Sequence, residues 1–149
     1  MKAQKVSSLE TLHPDFRENL ERWLQAAQQK FPQYEFRVLE TRRNKTRQKK
    51  LFSENSTQHW VTSFDGSRLR SMHQYGLAAD IGILNRKTRK SVWDSRVWRT
   101  IYAYIPPSVH GLEVGVQELT HLQLQGAGAQ YRDGELQAKY IEKLGLTLS

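Results

Sequence analysis

The segment from Leu77 to Ile83 constrains the fold more than any other part of this sequence. Its apolar residues alternate with a second set made of Ala78, Asp80 and Gly82. Successive side chains of a β-strand point to opposite faces of a sheet, so this pattern predicts a strand with one face on the hydrophobic core. A carboxylate on the other face is costly if it is buried without a partner. Its small neighbours are expected to leave room for something to lie over it.

The rest of the chain mixes the periodicities of helices and strands. Apolar residues at steps of three and four predict helices from about Pro14 to Lys30 and from Val92 to Tyr104. A short basic helix over 44–52 and a closing helix from about Asp133, capped by Gly145, complete the helical set. Strands are predicted at 34–40, 60–62, 77–84, 111–115 and 121–125. Without regular βαβ alternation, the order indicates an α+β fold with helices packed around a small antiparallel sheet.

Two of the predicted helices carry specific expectations about their buried sides. In the basic helix, Leu51 and Phe52 are expected at the inner end. In the helix over 92–104, the residues expected to share one buried side are Trp93, Val97, Ile101 and Tyr104. Pro106-Pro107 would stop this second helix, because proline lacks the amide hydrogen that a helix needs.

Composition excludes several classes of site. The chain has no cysteine, which removes disulfides, thiolate nucleophiles and Cys-ligated zinc, so any metal must be held by imidazole and carboxylate. Lys and Arg number 23 against 15 Asp and Glu, a net charge of +8. Such a charge favours an anionic partner, namely nucleic acid, anionic lipid or a phosphate-bearing cell wall. The basic runs at 42–50 and 86–90 are equally compatible with two solvated faces.

Length and hydropathy indicate how many domains the chain forms and where in the cell it is made. The 149 residues suit one domain, and no internal repeat or linker divides them. No apolar run approaches the ~20 residues that a transmembrane helix needs. The basic N-terminus is not followed by the apolar stretch of a Sec signal peptide. We therefore expect a single domain over 1–149, a monomer made in the cytoplasm.

Three side chains form a candidate metal site. In the segment His121 to Gln125 the leucines are expected to face the core, and His121 to point to the opposite side. If this strand neighbours the one at 77–84, Asp80 and His121 face one groove, and His73 can fold over its end. Two imidazoles and one carboxylate meet the needs of Zn²⁺ and leave a fourth position for water. Taken singly, a histidine is usually an ordinary hydrogen-bonded residue, and the spacing of His73 and Asp80 alone is a weak signal.

The other histidines and one glutamate complete the set of candidates. We interpret the remaining histidines as hydrogen-bonded surface or core residues: His13, His59 and His110. Glu118 lies three residues before His121, where its carboxylate can take a proton from an attacking water and pass it to the leaving amine.

These residues stand in a recognisable order. The pattern Ser71-x-His73-x-x-Gly76-x-Ala78-x-Asp80, with Glu118 and His121 downstream, resembles the D-Ala-D-Ala carboxypeptidase/L-alanyl-D-glutamate peptidase family. That family includes VanY-type carboxypeptidases and many phage endolysins. Further similar segments are Glu40-Thr41-Arg42-Arg43, with Gln48 and Leu51, and Gly111-Leu112-Glu113-x-Gly115. The motifs in order cover about residues 12 to 125.

The resemblance implies a role for each residue. His73, Asp80 and His121 would bind Zn²⁺ and Glu118 would be the general base. Arg43 would bind the substrate carbonyl or carboxylate and support the oxyanion, as a fixed guanidinium can. The substrate-binding assignment extends more weakly to two residues that could instead brace the loops of the site, Gln48 and Ser71.

The sequence also departs from the family pattern around the last ligand. Val114 and Val116 stand where the family usually has a tryptophan and a second glycine. Glu118 stands where the base is often Asp, and Thr120 replaces a frequent proline. Because Glu is one methylene longer than Asp, the loop from 116 to 120 must adjust to place it.

The leading hypothesis is a zinc peptidase that cleaves the peptide stem of peptidoglycan, as an L-alanyl-D-glutamate endopeptidase of endolysin type. It would act at the cell wall after release during phage lysis, and the positive charge would concentrate it on an anionic envelope. The alternatives are a D-Ala-D-Ala carboxypeptidase of the same family and a non-catalytic zinc-containing module that binds cell wall. A nucleic-acid partner is not expected, because no recognisable binding motif accompanies the basic charge.

Overall fold

The computed structural model describes residues 4–57, 59–62, 64, 66, 71–115 and 118–127. Within them the helices are α1 (Pro14–Lys30), α2 (Lys45–Ser53) and α3 (Ser95–Tyr104). The strands are β1 (Tyr34–Glu40), β2 (Ala78–Asn85), β3 (Leu112–Val114) and β4 (His121–Leu124). Short 3₁₀ turns lie at Leu9–Thr11, Met72–Tyr75 and Pro107–His110. The closing helix predicted from about Asp133 lies outside the described residues, as does Val116.

The strands form one antiparallel sheet in the order β1-β2-β4-β3. The inner strand β2 and the residue before it have the predicted faces, with the apolar set of the alternation buried: Leu77, Ala79, Ile81 and Ile83. Asp80 pairs with His121 of β4 on one side and with Glu40 of β1 on the other. The α+β prediction is confirmed, and the two strands of the candidate site are neighbours. Among the described helices, none is long and apolar enough to cross a membrane.

Helix α1 packs its apolar side against the sheet and has the predicted bounds. His13 caps its first turn, because its Nδ1 accepts a hydrogen bond from the amide of Asp15 at 3.1 Å. His13 is therefore a buried, hydrogen-bonded residue, as its sequence interpretation predicts. Trp23 is fully buried and donates from its indole to the carbonyl of Ile105 at 3.0 Å. The buried side of the helix consists of Phe16, Leu20, Trp23 and Ala27.

Helix α3 begins later than predicted. The amide of Val92 still bonds to the carbonyl of Ile83 at 2.8 Å, so this part of the chain continues the pairing with β2. The helix can begin only after Asp94, whose carboxylate accepts from the amide of Arg96 at 2.9 Å. The prediction of a helix from Val92 is therefore wrong by three residues.

The buried side of α3 also differs from the prediction. Trp93 lies before the helix and is 71% exposed, and Tyr104 is 64% exposed. The residues that face the core are Trp98 and Ile101. Of the predicted set, Ile101 is buried and Val97 is partly buried against the core, whereas the buried Trp98 lies outside that set.

Two further local predictions are wrong. No strand forms at 60–62, because the side-chain amide of Asn55 bonds this segment in place of a neighbouring strand. Its Oδ1 accepts from the amides of Val61 and Thr62 at 2.6 and 3.1 Å, and its Nδ2 donates to the carbonyl of Thr62 at 2.6 Å. In α2, Leu51 is buried as expected, but Phe52 is 42% exposed.

Candidate metal centre

His73 is held in place by the turn that precedes β2. Ser71 caps this turn, since its Oγ accepts from the amide of His73 at 3.2 Å. The side chain of Gln74 reaches back to the amide of Ser71 at 3.0 Å and completes a capping box. Gly76 ends the turn with φ +70°, a left-handed conformation that glycine adopts without strain. The buried Ser71 therefore contacts His73 through the backbone of the turn.

The imidazole of His73 has a defined proton position. Its Nδ1 lies 2.7 Å from the carbonyl oxygen of Thr41, which can only accept, so Nδ1 carries the proton. Burial lowers the pKa of His73 and favours the neutral ring. The lone pair of Nε2 therefore points towards Oδ1 of Asp80, 3.3 Å away. Both of these buried atoms lack a hydrogen-bond partner among the described residues.

Two lone-pair atoms that face each other in a buried site are a costly arrangement unless a cation lies between them. His121 supplies the third atom, because its Nδ1 lies 3.6 Å from the same oxygen of Asp80. One ligand atom from each of His73, Asp80 and His121 lies within 4.8 Å of the others, so the group can hold a metal ion. Two neutral imidazoles and a carboxylate are a donor set that fits Zn²⁺.

Asp80 is the charged centre of this cluster. Burial is the largest influence and raises its pKa, but His73, His121 and Arg43 outweigh it and hold the pKa of Asp80 well below its usual range. Its second oxygen, Oδ2, accepts from the guanidinium of Arg43 at 3.1 Å. The carboxylate therefore stays ionised and keeps Oδ1 available for a cation.

Arg43 is fixed from three sides. Its Nε donates to Glu40 at 3.0 Å, and its terminal nitrogens donate to Gln48 at 3.2 Å and to Asp80. Its side chain is 11% exposed. Three of the five guanidinium hydrogens are used in these bonds, which leaves two for another acceptor beside the ligand cluster.

Gln48 supports Arg43 from behind. It is fully buried, and its Nε2 donates to the hydroxyl of Thr62 at 3.1 Å and to the carbonyl of Phe64 at 2.8 Å. Its carbonyl oxygen accepts from Arg43. With these partners Gln48 contacts Arg43 directly, and the geometry favours a bracing role over direct contact with a substrate.

The basic run at 42–50 divides between the interior and the surface. Arg47 donates to Glu40 at 2.9 Å, and Arg42 donates to the carbonyl of Gln74 at 3.4 Å. Lys49 and Lys50 are exposed, as is the whole run at 86–90. The arginines of the run at 42–50 are hydrogen-bonded around the candidate site. Within this run, only the exposed lysines can therefore form either a solvated face or a surface that binds an anionic partner.

Glu118 lies beside the ligand cluster. Burial, followed by the charge of Asp80, raises the pKa of Glu118, while His121 and Arg43 act in the opposite direction. Its loop is tied to the rest of the fold, since the hydroxyl of Tyr102 on α3 donates to the carbonyl of Leu119. A half-buried carboxyl with a raised pKa is suited to taking and giving a proton.

One expectation about the space over Asp80 needs correction. The small size of Gly82 does not leave room for a ligand, because Leu39 fills that space. A Cβ on Gly82 would lie 2.9 Å from a methyl group of Leu39. Leu39 is in this position because the pairing of β1 with β2 shifts by one residue between Val38 and Glu40. At this bulge Leu39 is the extra residue of β1.

All the sequence-predicted site residues lie around one cluster, and the structure adds Glu40, which the site prediction missed. Glu40 is 3% exposed and joins Arg43 to Arg47. Strict alternation would put Glu40 on the core face with Phe36 and Val38, but the bulge places it opposite Asp80, on the face of the site. The sequence signal for Glu40 is its place in the family-like segment Glu40-Thr41-Arg42-Arg43.

Three solved structures share the fold of this chain. The Serratia marcescens L-Ala D-Glu endopeptidase ChiX has a TM-score of 0.58 and 19% identity, over 90% of this chain and 96% of that one. The LdcB LD-carboxypeptidase has a TM-score of 0.55 and 20% identity, over 92% of this chain and 66% of that one. VanYB in complex with D-Alanine-D-Alanine has a TM-score of 0.52 and 16% identity, over 88% and 82%.

These comparisons confirm the predicted resemblance to VanY-like peptidases at the level of the fold. No family model and no curated protein matches the sequence.

Proposed function

We propose that this chain is a zinc-dependent peptidase that cleaves the peptide stem of bacterial peptidoglycan. The observation that carries the proposal is the buried pair of lone-pair atoms, Nε2 of His73 and Oδ1 of Asp80, which no described hydrogen bond satisfies. The fold shared with three wall peptidases supports the substrate class. In this proposal His73, Asp80 and His121 hold Zn²⁺ within one domain.

Each residue of the site then has a chemical task. A bound Zn²⁺ would supply Lewis acidity, which lowers the pKa of water and polarises the scissile carbonyl. Glu118 takes a proton from the attacking water and gives it to the leaving amine, a task that its raised pKa favours. Arg43 donates its remaining hydrogens to the oxygen on which negative charge develops. Gln48 and Ser71 act through Arg43 and His73, which they hold in position.

As the specific reaction we propose hydrolysis of the L-alanyl-D-glutamate bond, by an enzyme of endolysin type that reaches the wall during phage lysis. ChiX, with the same fold, is an L-Ala D-Glu endopeptidase. The second candidate is a carboxypeptidase, because VanYB is bound to D-Alanine-D-Alanine and LdcB is an LD-carboxypeptidase. Digestion of purified peptidoglycan separates the two. New D-Glu amino termini support the endopeptidase, and release of free D-alanine alone supports the carboxypeptidase.

A non-catalytic wall-binding module is tested by Glu118→Gln. If Glu118 is the general base, hydrolysis falls by about 10²–10⁴-fold while metal content stays unchanged. The matched control is Glu18→Gln, which removes an exposed carboxylate on α1. If wild type and Glu118→Gln both bind peptidoglycan and neither hydrolyses it, the enzyme proposal fails. Loss of activity on chelation, with recovery on addition of Zn²⁺, tests the metal.

A further inference from the structure

A chain of hydrogen bonds connects His121 to the neighbouring strand. His121 and Gln123 are two residues apart on β4 and therefore lie on the same face of the sheet. Gln123 is paired across the strands with Glu113 of β3. Nε2 of His121 lies 2.8 Å from Oε1 of Gln123, and Nε2 of Gln123 donates to Oε1 of Glu113 at 2.6 Å.

The chemistry of these groups gives the chain a direction. A carboxylate can only accept, so Glu113 requires the amino group of Gln123 to face it. The carbonyl oxygen of Gln123 must then face His121, where it can only accept as well. Nε2 of His121 is therefore the protonated nitrogen, which leaves the lone pair on Nδ1. Nδ1 is the atom that lies 3.6 Å from Oδ1 of Asp80.

We propose that Glu113 and Gln123 are positioning residues that hold His121 in the tautomer whose Nδ1 faces Asp80 and the metal. The role of this tautomer in peptidase chemistry rests on the proposed function, whereas the tautomer itself is a property of the metal-free chain. His73 obtains the same control from the backbone carbonyl of Thr41, but with the opposite nitrogen free. Groups behind a metal-binding histidine typically fix its orientation and raise its affinity.

The alternative is an ordinary cross-strand polar pair that stabilises the sheet without acting on His121. Nearly isosteric exchanges distinguish the two, because they alter the direction of the hydrogen bonds and keep the packing. In Glu113→Gln, residue 113 can donate or accept, so the amide of Gln123 is free to turn. In Gln123→Glu, two carboxylates face each other. The double variant Glu113→Gln/Gln123→Glu restores a donor opposite an acceptor and keeps an acceptor towards His121.

The first measurement is the ¹⁵N NMR spectrum of the His121 ring in chelator-treated protein, at a pH at which the ring is neutral. The expected result is a protonated Nε2 in wild type and in the double variant, and a mixture of tautomers in Glu113→Gln. A protonated Nδ1 in wild type, or an unchanged tautomer in Glu113→Gln, would overturn the proposal.

The second measurement is the affinity for Zn²⁺, obtained by competition with a chromogenic chelator. We expect Glu113→Gln to lose about 10-fold and the double variant to recover most of that loss. The control for net charge is Gln125→Glu, which adds a carboxylate at an exposed position next to β4. A double variant that binds Zn²⁺ no better than Glu113→Gln contradicts the proposal. If wild type shows the expected tautomer and binds no Zn²⁺, the tautomer inference stands and the proposed zinc peptidase fails.

Discussion

The substitution Glu40→Gln tests whether the buried carboxylate behind Arg43 organises the site. Glu40 is 3% exposed and accepts from Arg43 and Arg47, whose side chains are 11% and 15% exposed. Gln keeps the shape of Glu but removes the charge and places an amino group against one of the two donating guanidinium groups. Two cations then share a nearly closed space without the anion that joined them.

The expected loss follows from the burial of this group. Removing one partner of a buried ion pair costs about 3–5 kcal/mol. Arg43 keeps its bonds to Asp80 and Gln48, so we expect the lower end, about 3 kcal/mol. With an m-value of about 1.5–2 kcal/mol per M, the midpoint of urea unfolding should fall by about 1.5–2 M. Unfolding is measured with chelator present, so that metal binding does not contribute to stability.

The pH dependence of this loss provides a second test. Burial is the largest influence on Glu40 and raises its pKa, but the hydrogen bond from Arg47 and the charges of both arginines leave the pKa below its usual value. A carboxyl with a depressed pKa contributes stability that is present above its unfolded pKa and is lost as pH falls through the folded pKa. The difference between wild type and Glu40→Gln should therefore shrink on acidification.

Glu18→Gln is the control for this experiment, because Glu18 forms an exposed pair with Arg22. Pairs of this kind contribute about 0–1 kcal/mol. A loss below about 1 kcal/mol for Glu40→Gln at neutral pH, or a loss that stays constant down to acidic pH, would refute the reasoning.

Two further predictions concern the loop that carries Glu118. Tyr102→Phe removes the hydrogen bond to the carbonyl of Leu119, so we expect the free energy of unfolding to fall by about 1 kcal/mol. The rate of hydrolysis is expected to fall by a larger factor than the fraction of folded protein does, because the same loop carries Glu118. Because burial raises the pKa of Tyr102, wild-type stability should also fall as pH rises above the ordinary tyrosine value, a loss that the variant lacks. Gly115→Ala would place a Cβ 3.0 Å from Cβ of His121. The carbonyl oxygen of Glu118 would be 3.1 Å away, so His121 or the Glu118 loop has to give slightly. We expect Zn²⁺ affinity to fall by about 10-fold, and an unchanged affinity would contradict a displacement of His121.

Sequence periodicity predicted those elements whose form depends on burial alone. Helix α1 and strand β1 have the predicted bounds, and β2 buries the predicted face, because each presents one apolar side to the core. Periodicity failed where a specific hydrogen bond decides the conformation. Asn55 bonds to residues 61–62 in place of a strand, and Val92 remains paired with β2 where a helix was expected.

The same distinction applies to the site. The three candidate ligands could be selected from the sequence, because strand phase marks Asp80 and His121 and the family pattern marks all three. Glu113 and Gln123 could not, since their significance lies in a hydrogen bond between strands and in its direction. Glu40 is intermediate, because it belongs to the family-like segment that contains Arg43, but neither the bulge that turns it to the face of Asp80 nor its two arginine partners were visible in the sequence.

The position of β2 between β1 and β4 has a consequence for how the site is assembled. Thr41 and Arg43 follow the strand on one side of β2, and His121 enters from a strand about 40 residues later in the chain. Glu40 lies as far from Asp80 in the sequence as His121 does, so both pairings of β2 close loops of about 40 residues and both carry an entropic cost. During synthesis the chain cannot assemble all three ligands until residue 121 has left the ribosome. Any hydrolytic activity would therefore be withheld from the nascent chain and would begin only when the sheet is complete.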